Sequence, residues 1–256
     1  MAEKIQISGV VITFNEEKNI QRCLKSLQVV CDELLVVDSF SKDDTVAIAE
    51  FMGARVIQHQ WTGFLNQKNF AQSKSKYNIV LQLDADEELS KQLQENILAL
   101  KSQWRQDGYF FPRFTNYCGK WIHHSGWYPD AKLRLYDKRK GKWKGLDPHP
   151  QVKMNENSSV GNLKGDLLHY SYDSYENHIN RSAGYAKQAA LAMHQLGKRP
   201  SIIKMYLSPF YRFIHDFFFR GGFRDGLEGL IICKTAAYYT FLKYMYLTLI
   251  QKGKSI

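Results

Sequence analysis

The chain has 256 residues, 44% of them hydrophobic and 23% charged, which is enough to bury one α/β core and carry an appendage. Thirty-five Lys and Arg against 25 Asp and Glu give a formal charge of +10, so the favoured partners are anionic: a nucleotide diphosphate, acidic lipid headgroups or nucleic acid. Cys23, Cys31, Cys118 and Cys233 form no CxxC pair, there is no basic start followed by an apolar leader, and no window reaches roughly 18 uninterrupted apolar residues. Zinc, a disulfide scaffold, export and a spanning helix are therefore not expected, and a reduced cytosolic protein is. No recognition motif or basic run supports nucleic acid.

From the N-terminus, residues 7–14 form an apolar β-rich run, and residues 16–27 place Ile20, Leu24 and Leu27 at helical spacing. The alternation continues. Residues 34–37 predict a buried strand, 43–52 a helix capped near Asp43, 55–59 a strand, 64–73 a helix, 78–83 a strand and 87–104 a helix. Strands alternating with helices imply a mostly parallel sheet covered on both faces. After residue 104 the text changes to short β-like pieces at 109–117, 133–136 and 167–170, separated by Gly, Pro and Trp, and beyond Ser174 it turns helical again.

Ligands of such sheets sit beyond the carboxyl ends of the strands. Those ends read Thr13-Phe14-Asn15-Glu16-Glu17, Asp38-Ser39 and Asp84-Ala85-Asp86. The last is the sharpest signal, because two carboxylates one residue apart after an apolar strand suit a hard divalent cation, Mg²⁺ or Mn²⁺, held against a pyrophosphate. A solvated acidic helix start would read the same way taken alone. In the run from Gly63, Lys68 suits donor phosphates and Gln67 a donor sugar, although a surface helix start explains them nearly as well.

The ordered series of three strand-end motifs resembles glycosyltransferase family 2 over about the first 90 residues. Further pieces, Gly63-Phe64 with Gln67-Lys68-Asn69, Gly126-Trp127-Tyr128-Pro129-Asp130 and Leu133-Arg134-Leu135, resemble the branch that builds lipopolysaccharide core, in the manner of an inner-core glucosyltransferase. The resemblance implies a GT-A fold: a Rossmann-like, mostly parallel central sheet with flanking helices, followed by a helical C-terminal extension. It places the GT-A domain at residues 1–175, with a nucleotide-sugar half at 1–104 and an acceptor half at 105–175, and the extension at 176–256. It implies that Thr13, Asn15 and Glu17 line the nucleotide pocket, that Asp38 contacts base or ribose, that Asp84 lies against the ribose, and that Asp86 takes the metal. The expected activity is transfer of a sugar from a nucleotide-diphospho-sugar, a UDP-sugar by preference, to a glycolipid or oligosaccharide acceptor, with inversion and metal dependence.

An inverting transfer needs a carboxylate to accept the acceptor hydroxyl's proton. Members of that branch carry a His followed by an acid, and here the text reads Asp147-Pro148-His149-Pro150, so Asp147 is the nearest substitute and Asp130 the second candidate, unless Asp130 orients a hydroxyl or pairs with Arg134. His149 and His169 are candidates for phosphate or metal, with structural hydrogen bonding as the plainer role. Trp121, Trp127 and Trp143 offer faces to a sugar or pack over the sheet.

Between residues 202 and 250, dense Phe, Tyr and Leu with interspersed Lys and Arg suit an interfacial helix on an anionic membrane, which would place the protein peripherally on the inner face of the cytoplasmic membrane. Core packing of a helical subdomain is the competing explanation. Two rival functions are a sugar nucleotidyltransferase, which would need a Gly-rich phosphate loop that Thr13-Phe14-Asn15-Glu16 does not supply, and a non-catalytic membrane-associated binding protein with a degenerate transferase fold.

Overall fold

The computed structural model describes residues 4–145, 147 and 150–255; His149, a candidate phosphate or metal contact, lies outside them. The first 84 residues run β1 (Ile7–Thr13), α1 (Ile20–Gln28), β2 (Glu33–Asp38), α2 (Thr45–Phe51), β3 (Arg55–Gln58), α3 (Phe64–Lys74) and β4 (Ile79–Asp84). They follow the expected alternation closely. β1 pairs in parallel with β2 and β4, and β2 in parallel with β3. All seven residues of β1 are buried, as a central strand covered on both faces must be. Val11 and Val36 face one apolar cluster with Leu24, Leu27, Leu93 and Ile97, whereas Val10, Ile12, Leu35 and Val37 face the other with Ala71 and Trp143. The pleat sends alternate residues to opposite faces.

The predicted helix at 87–104 divides. Residues Glu87–Leu89 form a short strand, β5, and the helix α4 covers only Lys91–Leu100. Ser90 starts it by accepting from the Leu93 amide, and β5 pairs antiparallel with a later strand, so tertiary pairing overrides the local helical text. The later elements are β6 (Gly108–Tyr117), β7 (Lys120–Trp121), β8 (Asp130–Asp137), β9 (Gly141–Lys144), β10 (Gln151–Met154), β11 (Val160–Asn162), β12 (Leu167–Tyr172) and helices α5 (Tyr175–Gln195), α6 (Ile202–Ile214) and α7 (Gly226–Gln251). β8 joins β4 antiparallel, β6 joins β8 antiparallel, and β12 lies antiparallel to β5 with His169 opposite Glu87. Beyond β4 the pairings are mainly antiparallel, with β11 parallel to β6, and the sheet is mixed.

Two compact units are formed, one of residues 1–113 and 130–169, the other of residues 114–129 and 170–256. The segment 114–129 thus groups with the C-terminal helices. In that second unit Tyr117, Ile122 and Ile232 form a small core. The Tyr117 hydroxyl meets His178 Nδ1 at 2.8 Å, and Trp127 packs on the rings of Tyr117, Tyr172 and His178. All four cysteines are free thiols. Among the described residues no helix is long and apolar enough to cross a membrane.

In the first unit, Glu33 ties three strands to the 75–77 turn. It accepts from Ser8 Oγ at 2.5 Å, from Arg55 at 2.7 Å and from the Lys76 amide at 2.6 Å. Burial raises its pKa, but those three donors outweigh burial and leave it below the ordinary value; Asp137, held by Arg139, is lowered in the same way. A depressed carboxylate stabilises the fold above its unfolded pKa, about 4, and loses that contribution as pH falls through the folded value. Urea midpoints are therefore expected to be flat above about pH 5 and to fall below it, and Glu33→Gln should shrink that acid-side drop.

Candidate active site

The ends of β1 and β2 are sewn together by polar side chains. Asp38 is fully buried, and its two carboxylate oxygens accept from the Ser41 amide at 2.8 Å and the Ser41 hydroxyl at 2.5 Å. That hydroxyl accepts in turn from the Asn15 amide. Asn15 adopts φ 54°, a left-handed conformation that Asn tolerates better than most residues, and its side chain accepts from the Lys42 amide. Glu17 accepts from the Asp44 amide, and its own amide donates to Asp43. Thr13, Asn15, Glu17 and Asp38 are thus brought to one rim. The Thr13 hydroxyl is buried with no hydrogen-bond partner among the described residues, an orphan of the kind a bound ligand satisfies.

Behind this rim stands a network of paired charges. Asp84, the last residue of β4, receives Lys68 Nζ at 2.5 Å on one oxygen and Arg134 at 2.9 Å on the other. Burial raises the Asp84 acid, and the two cations override it and hold it far below the ordinary range. Lys68 and Arg134 are only 6% and 5% exposed, and both lie over the Trp143 ring, at 4.4 and 5.4 Å from its centroid. Trp143 is itself buried and donates to Gln82 at 2.7 Å. Buried in this way, its ring packs in the core and offers no face to a sugar.

Lys68 is thus engaged by Asp84 from inside the protein. Gln67 is buried as well: its amide donates to Ser39 and its oxygen meets His59 at 2.8 Å. Both residues come from α3, whose Gly63 entry has φ 105°, a conformation that favours glycine.

Arg134 also reaches Glu87 at 2.7 Å, and Glu87 accepts from the Asp84 amide at 3.0 Å, closing the acidic turn. Arg113 lies 3.6 Å from Glu87 and 2.7 Å from Asp130, which Lys132 approaches at 2.9 Å. Asp130 and Lys132 lie two apart on β8 and so share one face, Arg134 falls at the register irregularity between Leu133 and Leu135, and Arg113 sits opposite Asp130 in register. The partner of Asp130 is therefore Arg113, and Arg134 serves the acidic turn. Burial raises the Asp130 acid, and Arg113 and Lys132 bring it below the usual value.

Asp86 occupies the turn between β4 and β5 and faces a different neighbour, His169 Nε2 at 3.4 Å. Burial raises its pKa, and His169 with Arg113 lowers it further than burial lifts it. The two carboxylates of the motif are thus chemically distinct: Asp84 is neutralised by fixed cations, and Asp86 pairs with an imidazole that is itself a metal-ligating group. Asp147 is exposed, accepts from the Leu65 amide at 2.9 Å in the first turn of α3, and has no ion pair among the described residues.

This arrangement, an acidic turn closing a parallel βα half-sheet and facing an antiparallel second half, coincides with a family match. The description "Glycosyl transferase family 2" fits residues 8–160, more than half of the chain. The chain belongs to glycosyltransferase family 2. Among its relatives is the lipopolysaccharide core biosynthesis glycosyltransferase LpsC of Rhizobium meliloti, 30% identical over 254 residues, 94% of this chain and 92% of that one. A Rickettsia bellii protein described as an uncharacterized glycosyltransferase is 32% identical over 93% of this chain and 84% of its own length. S. aureus TarS 1–349, solved in complex with UDP-GlcNAc, superposes with a TM-score of 0.50 at 16% identity, covering 98% of this chain and 93% of that one; the likeness is one of fold, GT-A.

For this family 2 glycosyltransferase, the sequence pointed to Asp84 and Asp86 but not to Arg113 or Lys132, and of the two roles open to Trp143 the structure shows packing. The alternation of Asp130, Lys132 and Arg134 was the available signal. Arg134 is the residue on which the network turns, so Arg134→Met should leave Asp84 and Glu87 short of a buried partner. Equilibrium unfolding is expected to show a loss of about 3–5 kcal/mol, the range for breaking a buried ion pair from one side.

Proposed function

We propose that this enzyme transfers a sugar from a UDP-sugar, with inversion and with help from a divalent cation, to a saccharide on a membrane glycolipid of the lipopolysaccharide-core type. The observation that carries the reading is the unequal treatment of the two carboxylates, since Asp84 is closed by two buried cations whereas Asp86 faces the His169 imidazole. In the first unit the network holds four cations, Lys68, Arg113, Lys132 and Arg134, against four carboxylates, Asp84, Asp86, Glu87 and Asp130. That balance leaves nothing to neutralise a diphosphate. The donor class is supported by the UDP-GlcNAc held by the fold neighbour TarS, and the acceptor class by the description of LpsC.

The residues present fit Mg²⁺ or Mn²⁺: Asp86 would offer a hard oxygen and His169 a nitrogen. Bound there, the cation supplies charge neutralisation for the departing diphosphate. Thr13, Asn15, Glu17 and Asp38 hold the nucleoside at the β1 and β2 rim, with the Thr13 hydroxyl gaining the partner it lacks. Asp84 faces the ribose, fixed by Lys68 and Arg134, while Gln67 and Lys68 brace the donor side from α3. The acceptor oxygen attacks the anomeric carbon opposite the diphosphate, the bond from that carbon to the diphosphate oxygen breaks, and the acceptor proton passes to a carboxylate.

We assign that proton to Asp147 and the orientation of the acceptor to Asp130. Two cations beside Asp130 lower its basicity and suit it to accepting hydrogen bonds, whereas Asp147 is exposed and free of ion pairs among the described residues. A glycolipid acceptor and a charge of +10 support a position in the cytoplasm, peripherally on the inner face of the cytoplasmic membrane.

Asp86→Asn is expected to lower kcat at least about a hundredfold and to remove metal-dependent thermal stabilisation by UDP, while Asp84→Asn mainly destabilises the fold. Metal-dependent turnover surviving in Asp86→Asn would overturn the assignment. Asp147→Asn is expected to lower kcat by about a hundredfold or more with unchanged donor affinity, as lost general base catalysis does, and Asp130→Asn to raise the acceptor KM. Steady-state kinetics with purified acceptor distinguish the two, and the reverse pattern exchanges their roles.

A further inference from the structure

A soluble helix ordinarily turns its apolar face inward. α6 does the opposite. Ile202, Ile203, Tyr206, Leu207, Phe210 and Tyr211 recur at helical spacing and are each 62–69% exposed, and no residue of α6 is fully buried. Met205, Ser208, Pro209, Phe213 and Ile214 are the half-buried positions, and α6 runs along α7. The apolar face continues past the end of α6 with Phe218 at 55% and Phe219 at 81% exposed.

Charge around this face has one sign. Residues 196–224 contain six cations, Lys198, Arg199, Lys204, Arg212, Arg220 and Arg224, and a single carboxylate, Asp216. Asp216 is buried and committed to Arg212 and Arg220. The exposed part of the segment therefore presents aromatic and aliphatic side chains beside Lys and Arg with no exposed acid. A second protein copy would bring the same cations against each other, whereas an anionic lipid surface complements both features.

We infer that the outward face of α6, extended by Phe218 and Phe219, is the surface by which this enzyme lies on anionic bilayer. The inference rests on the glycolipid reading above and narrows it to one helix, with α7 as its support. Thirteen residues make a helix about 20 Å long, shorter than the roughly 30 Å hydrocarbon layer, so α6 lies in the interface plane with its axis along the surface. Tyr206 and Tyr211 suit the boundary, where a ring rests among acyl chains and a hydroxyl stays hydrated.

The test compares the protein with L207E/F210E, both changes being at exposed positions that take no part in the active-site network. Flotation is measured with phosphatidylcholine vesicles containing or lacking phosphatidylglycerol, at low and high salt. The wild type is expected to float with anionic vesicles, less with neutral ones and less at high salt, and L207E/F210E to lose at least tenfold in bound fraction. UDP-sugar hydrolysis is followed in parallel and should be equal in both proteins. Equal flotation of wild type and variant, or a wild type that does not float and is dimeric by light scattering until the variant makes it monomeric, overturns the inference while leaving the transferase reading standing. Absent hydrolysis in a wild type that floats normally overturns the transferase reading and leaves the surface in place.

Discussion

Lys68 and Arg134, both nearly excluded from solvent, close on the same carboxylate, Asp84, from two sides. Burying charges of this kind is unfavourable unless each finds a partner at good distance, and the Trp143 ring beneath both cations supplies a dry wall that cannot hydrate them. The consequence is rigid geometry at the end of β4. Glu87 completes it by gripping the Asp84 amide and Arg134 together, so the turn carrying Asp86 is fixed at both ends. A flexible acidic turn would hold a cation in many arrangements, and a fixed one holds it in few.

The same constraint explains why three distant stretches of sequence meet. α3 delivers Lys68, β8 delivers Arg134, and β12 delivers His169 opposite Glu87. Each belongs to a strand or helix whose own packing is secured by the two apolar clusters, so the polar network inherits its precision from the sheet. Gly165, with φ 96°, lies where an added Cβ would meet the Leu93 amide at 2.4 Å; the approach to β12 passes against the start of α4 and only glycine fits.

Much of the donor half was legible in the sequence because its information is local. Apolar runs separated by helical spacing mark β1 to β4, and the acidic pair falls directly after a strand. The expected helix at 87–104 failed at its start because Glu87–Leu89 are recruited by β12, a partner some eighty residues away. The pairings of Arg113 and Glu87 were hidden for the same reason, as was that of His169 with Asp86, although His169 itself was a candidate for phosphate or metal: they arise from cross-strand register, which no local pattern encodes. The sequence reading of Lys68 as a phosphate contact had no access to its ion pair with Asp84. In the C-terminal region, composition showed aromatic and basic residues, but only the structure shows that α6 turns its apolar side outward.

The division of labour between the two carboxylates is the central claim, and anomalous diffraction from crystals grown with Mn²⁺ and UDP tests it most directly. The account predicts a single manganese peak bonded to an Asp86 oxygen and to His169, with Asp84 still closed by Lys68 and Arg134. A manganese ion bonded to Asp84, with Lys68 or Arg134 displaced, would contradict it.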